Sequence, residues 1–340
     1  MRVLLSLLLF MAAAGAAIAG DVICNGCGRK ITGRHIKTGD GRRFCGKRCY
    51  LKHQPKCADC GKPITGRHFN FKGKKYCSRK CVEKQLPQCA LCGKHTRTGK
   101  KRLGKIFCER CAALPKCYEC GMPVRGGKRL ADGRHLCRDC WPEAVLDRSQ
   151  ANTVYARGRA ELKRITGLQT SPAPKLLLAN ADEINRFYEE RTGKAVEGHM
   201  RGYFRRREHY IIREDAQGNR ERVDERVERE IYLLRGAVET NMFVTAVHES
   251  THDLMARTFP ATLEAPLWVQ EGIAQYIAAI AARRHKLKLP LTIIETHPDE
   301  SYGGGYRYFK KTFGQNNWKG LHAWLRKTDL TKLPERCPEK

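Results

Sequence analysis

The chain is 340 residues long, with 65 Lys and Arg against 35 Asp and Glu and a formal charge of +30. This length predicts two or three domains rather than one small module. Beyond residue 20 no stretch is apolar and long enough to cross a bilayer as a helix, which excludes a polytopic helical membrane protein, and so basic a chain presents either a solvated cationic surface or a face for a polyanion.

Residues 1–19 read as a secretory signal peptide. Arg2 supplies the positive start, Leu4 to Ala13 the apolar run, and Ala17-Ile18-Ala19 a small-x-small cleavage site. Left uncleaved, the same segment would be a membrane anchor. Export, to a periplasm or out of the cell, moves the expected partner of the basic surface away from nucleic acid. Anionic lipids, cell-wall polymers and acidic proteins take its place.

Sixteen of the 17 cysteines fall into a fourfold repeat. Residues 20–54 hold Cys24, Cys27, Cys45 and Cys49; residues 55–86 hold Cys57, Cys60, Cys77 and Cys81. Residues 87–114 hold Cys89, Cys92, Cys108 and Cys111; residues 115–145 hold Cys117, Cys120, Cys137 and Cys140. Each opening pair is followed by glycine, as in "CNGCG" and "CADCG". Each closing pair follows a hairpin ending in an aromatic or apolar residue, as in "GKKYC" and "GRHLC". Units this short cannot bury enough apolar surface to fold alone. Four thiolates on two tight turns make a tetrahedral zinc site whose binding energy supplies the stability, and the glycine permits a turn that aims backbone N–H groups at sulfur.

Four structural zinc ions are therefore expected, and on sixteen thiolates they would remove eight positive charges from the +30. Disulfide bonding is the competing expectation, since export favours it, although bridges between cysteines so close in sequence are strained. Cys337 stands apart, as a buried or free thiol or half of an intermolecular bridge. With the ligand sets full, His35, His68, His95 and His135 are expected at the surface. The units resemble LIM and related treble-clef zinc ribbons, "CGKPITGRHFNFKGKKYCSRKC" being close to half of a LIM domain. All-cysteine ligand sets and longer gaps depart from the LIM pattern, so four linked ribbons are expected. The resemblance implies an arm for protein docking or regulation.

Residues 146–172 read as a linker helix around "VYARGRAELKRITG", followed by a second domain over 173–332 and a C-terminal tail over 333–340. Within that domain "KLLLA" predicts a short buried strand and "ADEINRFYEERTG" a helix stopped by Gly193. "GYFRRREHYIIRED" and "REIYLLRG" predict strands, with a connection between them that turns at Gln217-Gly218-Asn219. The run "RRREH" reads as the wet face or loop end of a sheet. Glu239 to Arg257 predicts a largely buried helix stopped by Pro260, "PLWVQEGIAQYIAAIAARR" a second, with Pro266 in its first turn, and "FGQNNWKGLHAWLRK" a last.

The first of these helices carries His248-Glu249-Ser250-Thr251-His252. Residues four apart share a helix face, so His248 and His252 can present two imidazoles to one ion. Glu249 is placed to act as general base on a metal-activated water without ligating the ion. A catalytic zinc usually takes three protein ligands, and the second helix supplies Glu271 after eighteen intervening residues. A turn at Phe259-Pro260 would bring it back, with Gly272 allowing close helix packing. Donors to a developing oxyanion are sought among Tyr306 and Arg307, with Tyr302 and Tyr276. No orienting carboxylate for a ligand histidine is evident: Gln275 stands one turn after Glu271, and Asp253 is expected to face away.

His-Glu-x-x-His, eighteen residues, then Glu resembles the gluzincin metallopeptidases, and "EGIAQY" is similar to the stretch around the third ligand in zinc aminopeptidases. Over most of the second domain, "APKLLLA", "IYLLRGAV", "HESTH", "EGIAQYIA" and "YGGGYR" resemble the peptidase domain of the plant LIM-containing, ubiquitin-activated growth regulators. That resemblance implies a latent endopeptidase with His248, His252 and Glu271 as ligands of one catalytic zinc and Glu249 as base. Ubiquitin control does not carry over, given the export signal and the absence of a ubiquitin-interacting helix ahead of the first ribbon. The expected fold is an array of small treble-clef, LIM-like zinc ribbons followed by an α+β, zincin-like metallopeptidase domain. The expected function is an exported zinc endopeptidase acting on a protein or peptide. The alternative is a non-catalytic binding protein whose ribbons hold an anionic or protein partner beside a degenerate peptidase scaffold.

Overall fold

The computed structural model describes residues 21–193, 200–214, 217 and 219–338; the signal segment lies outside the described residues. The chain divides into two compact units between Ala112 and Ala113.

The first unit holds three ribbons built alike. Each has a cysteine knuckle, a short antiparallel hairpin and a helix of one or two turns. Their elements are β1 (Ile36–Lys37), β2 (Arg43–Phe44) and α1 (Lys47–His53); β3 (Phe69–Phe71), β4 (Lys74–Tyr76) and α2 (Arg79–Glu83); β5 (Lys100–Arg102), β6 (Lys105–Phe107) and α3 (Glu109–Ala112). Phe44, Tyr76 and Phe107, each just ahead of a third cysteine, are buried. In the second ribbon Ile64, Tyr76 and Val82 pack with Cys57 and Cys81, with Phe71 and Cys77 at the edge, a core too small to stabilise a fold without a staple.

The second unit begins with the fourth ribbon, whose hairpin is β7 (Lys128–Arg129) and β8 (His135–Leu136). It continues through α4 (Arg148–Thr166), β9 (Lys175–Ala179), α5 (Ala181–Thr192), β10 (Gly202–Glu214), β11 (Arg220–Leu234), α6 (Glu239–Thr258), α7 (Leu267–Arg284), α8 (Lys288–Glu295), α9 (Gly305–Phe313) and α10 (Trp318–Lys327). The sheet order is β10-β11-β9, antiparallel then parallel. One core runs from the ribbon's Tyr118, Val124 and Leu136 through α4 and the sheet to α6, α7 and α9.

Several expectations change here. The fourth ribbon shares its core with the second unit instead of being one more link in the arm. The helix expected as a linker is α4, capped by Asp147 and Gly167. Its Gly158 leaves room for Ala246, because a Cβ there would stand 2.8 Å from the Ala246 Cβ. The strand expected to begin at Arg229 starts at Arg220. Its outer half pairs only with β10, so no buried face marks it in the sequence. The expected turn at 217–219 lies partly outside the described residues. The "YGGGYR" stretch is helical, entering α9 through a π turn at Glu300–Gly304. The last residues pack against the unit: Trp268 Nε1 donates to Pro334 O at 2.7 Å, and Cys337 is buried.

Candidate metal centres

In each ribbon the first cysteine sits before a tight turn closed by Gly28, Gly61, Gly93 or Gly121, all in the left-handed region. The Cys45 amide donates to Cys24 Sγ at 3.3 Å and the Gly26 amide at 3.4 Å, and these bonds pull the Cys24 thiol down to about 6 against the opposing effect of burial. The Cys77 and Cys137 amides treat Cys57 and Cys117 in the same way, at 3.4 and 3.3 Å. Sulfurs about 2.3 Å from one tetrahedral ion lie about 3.8 Å apart. The pairs Cys27–Cys45, Cys45–Cys49, Cys60–Cys77, Cys77–Cys81, Cys92–Cys108 and Cys120–Cys137 stand at 3.7, 3.6, 3.5, 3.7, 3.9 and 3.8 Å. None of the seventeen cysteines is in a disulfide, and the spacing of each donor set suits one tetrahedral ion such as zinc. His35, His68 and His95 are exposed as expected, whereas His135 is half-buried on β8.

The fifth centre lies on α6 and α7. Buried on nearly every face, α6 satisfies two of its threonine hydroxyls by its own backbone: Thr245 donates to Asn241 O and Thr251 to Val247 O, at 2.9 and 2.8 Å, whereas the Ser250 hydroxyl is buried without a hydrogen-bond partner among the described residues. A 3-10 turn at Pro260–Leu263 reverses the chain into α7, as the sequence suggests. His248 Nε2 and His252 Nε2 are then 3.1 Å apart, and Glu271 Oε2 is 3.2 Å from the first and 3.4 Å from the second. Ligand atoms about 2.0–2.1 Å from a tetrahedral ion would be about 3.3 Å apart, so the three fit one zinc. The Glu249 carboxylate lies within 4.8 Å of both histidines. Burial would raise the Glu271 carboxyl, but the charge of His252 and the hydrogen bonds of both imidazoles hold it well below the usual carboxylate range.

Close contacts brace this centre. A Cβ on Gly202 would stand 2.6 Å from Thr245 Cγ2 and 2.8 Å from Glu249 Oε1, so the start of β10 lies directly on the Glu249 side chain. A Cβ on Gly272 would meet the Gly305 backbone at 2.7 Å. Asp253 turns away from the centre, taking Arg229 Nη1 at 2.7 Å and the Thr170 hydroxyl.

The candidate donors separate. The Tyr302 ring stacks 6.2 Å from that of His248, with its hydroxyl 3.9 Å from Met200 Sδ. Tyr306 is buried elsewhere: its hydroxyl donates to Glu295 Oε1 at 3.0 Å and accepts from Arg283, and burial raises its pKa. Arg307 donates to His297 O at 3.2 Å, and Tyr276 bonds Gly314 O and the Asn317 amide. None of these three points to the metal ligands. His297, which no sequence pattern marks, packs its ring 5.4 Å from that of Tyr302.

Beside His252 opens a cavity of about 700 Å³, lined by Met255, Gln270 and Ile273 from the helices, Phe187 from α5 and Tyr203 to Glu208 from β10. The arginines expected on a wet sheet face line it, half-buried. Arg205 lies over the Phe187 ring at 4.6 Å, and Arg207 pairs with Glu230 at 3.2 Å. No protein-family model matches the chain, and no curated protein matches it.

Proposed function

We propose that this protein is an exported zinc endopeptidase, with a gluzincin-type catalytic unit and an arm of zinc ribbons for docking or regulation. The observation that carries the reading is the convergence of His248, His252 and Glu271 at tetrahedral ligand spacing, with Glu249 beside them and a cleft alongside. Bound there, zinc would activate water and polarise the scissile carbonyl. Glu249, on the ligand helix with its side chain against Gly202, would accept the proton from that water and return it to the leaving amine. Among the described residues β10 has a strand neighbour on one side only, so an extended peptide can add along its other edge while side chains enter the cavity. Tyr302 is the side chain best placed to steady the developing oxyanion. Tyr302→Phe is expected to lower kcat about 100-fold with little change in KM, read from initial rates on a peptide substrate.

The deciding experiment is zinc per chain by elemental analysis, with casein cleavage measured with and without chelator. Five zinc falling to four in His248→Ala, with cleavage lost, supports the proposal. No loss of zinc in that variant would sink it in favour of a ribbon-based binding protein.

A further inference from the structure

We infer that Glu119 is a positioning residue for the fifth metal centre, coupling the fourth cysteine cluster to the helix and strand that seat Glu249. The inference rests on the reading of His248, His252 and Glu271 as zinc ligands.

Glu119 lies inside the Cys117–Cys120 knuckle, yet its side chain is fully buried and engages no cysteine partner of its own ribbon. Its Oε1 accepts from Arg201 Nη1 at 2.8 Å and its Oε2 accepts from Asn241 Nδ2. Arg201 also donates to the Tyr118 and Glu119 carbonyls at 3.2 and 3.3 Å, and the Tyr118 hydroxyl donates to Met200 O at 3.0 Å. Asn241 stands seven residues before His248, which is two turns along the same face of α6. Arg201 directly precedes Gly202. The knuckle therefore grips both walls of the slot that holds Glu249, the helix through Asn241 and the strand through Arg201.

The second ribbon supplies an internal comparison. Asp59 occupies the equivalent knuckle position, but it accepts from Lys84 and Gln85 of its own ribbon, both at 3.2 Å. Of these two knuckle acids only Glu119 is spent outside its own ribbon. A buried ion pair adds little stability over apolar packing, and its best attested use is to set register. Here the register set is that of β10 against α6. Metal in the fourth cluster fixes the knuckle, and so holds the fifth centre in its ligating geometry.

The test uses the full-length, zinc-loaded protein. Zinc at the fifth centre is titrated against a graded chelator, and cobalt substituted there reports the ligand field by its absorption bands. Glu119→Ala is expected to weaken fifth-centre retention at least about tenfold and to alter the cobalt bands, while the Cys117 cluster stays protected from thiol reagents. Asn241→Ala, which leaves the Arg201 pair intact, should shift both readouts the same way by less. It alone decides the matter if Glu119→Ala does not fold. The double variant should be no worse than Glu119→Ala. Unchanged retention and bands in these variants, with only thermal stability lowered, would overturn the inference while leaving the proposed function standing. A wild type whose His248→Ala variant loses no zinc would overturn both.

Discussion

Glu249→Gln is expected to keep the fifth zinc and to lose about a thousandfold or more in turnover of a protein substrate. The amide matches the carboxylate in size, so the contact with Gly202, where a Cβ would already meet Glu249 Oε1 at 2.8 Å, is preserved. The proposed ligand atoms belong to His248, His252 and Glu271, and none of them is altered. What goes is the carboxylate beside the proposed ligands that is placed to take a proton from water and hand it on. Zinc analysis and cleavage assays on the same preparation separate the two effects. Glu271→Gln supplies the contrast, since it should weaken the metal itself. Undiminished proteolysis in Glu249→Gln would refute the assigned base.

The second large effect is expected from Gly272→Ala. The new Cβ would stand 2.7 and 2.8 Å from the Gly305 backbone and 2.9 Å from the Phe309 ring. A backbone cannot rotate aside as a side-chain end can, so α7 and α9 must separate, at a cost of about 1–3 kcal/mol. Glu271 is the preceding residue, and the same shift moves its carboxylate away from the two histidines. The melting temperature should fall and one zinc should be lost, with the four ribbon metals retained. Thermal unfolding and zinc analysis check this. Gly33→Ala is the control: a Cβ there meets nothing within 4 Å, and neither quantity should move.

The glycines of "YGGGYR" show where sequence reasoning reached its end. They announce a close approach or a loose loop without saying which. The structure makes them contact points: a Cβ on Gly303 would meet His297 O at 1.9 Å and one on Gly305 would meet Trp268 O at 2.4 Å. Choosing among Tyr302, Tyr306 and Arg307 was out of reach for the same reason. The π turn at Glu300–Gly304 sets the phase of α9. That phase turns Tyr306 inward to Glu295 and leaves Tyr302 beside His248. The pairing of Arg220 to Glu228 was likewise hidden, because the outer ribbon of β10 and β11 has no third strand and no alternation to reveal it.

By itself the sequence determined whatever depends on short spacing. Two histidines four apart on a helix share a face, and two cysteines three apart with a following glycine make a turn that aims its own backbone amides at sulfur. It also pointed to Glu271 as a candidate third ligand through a reversing turn at Pro260, and the structure places its Oε2 3.2 Å from His248 Nε2. Only the tertiary structure decided that the fourth ribbon belongs to the second unit, that β10 lies on Glu249, and that Glu119 reaches Asn241. Those contacts join residues far apart in the chain. They depend on how buried faces pack and where a missing Cβ lets two backbones meet, and no local pattern of side chains encodes that.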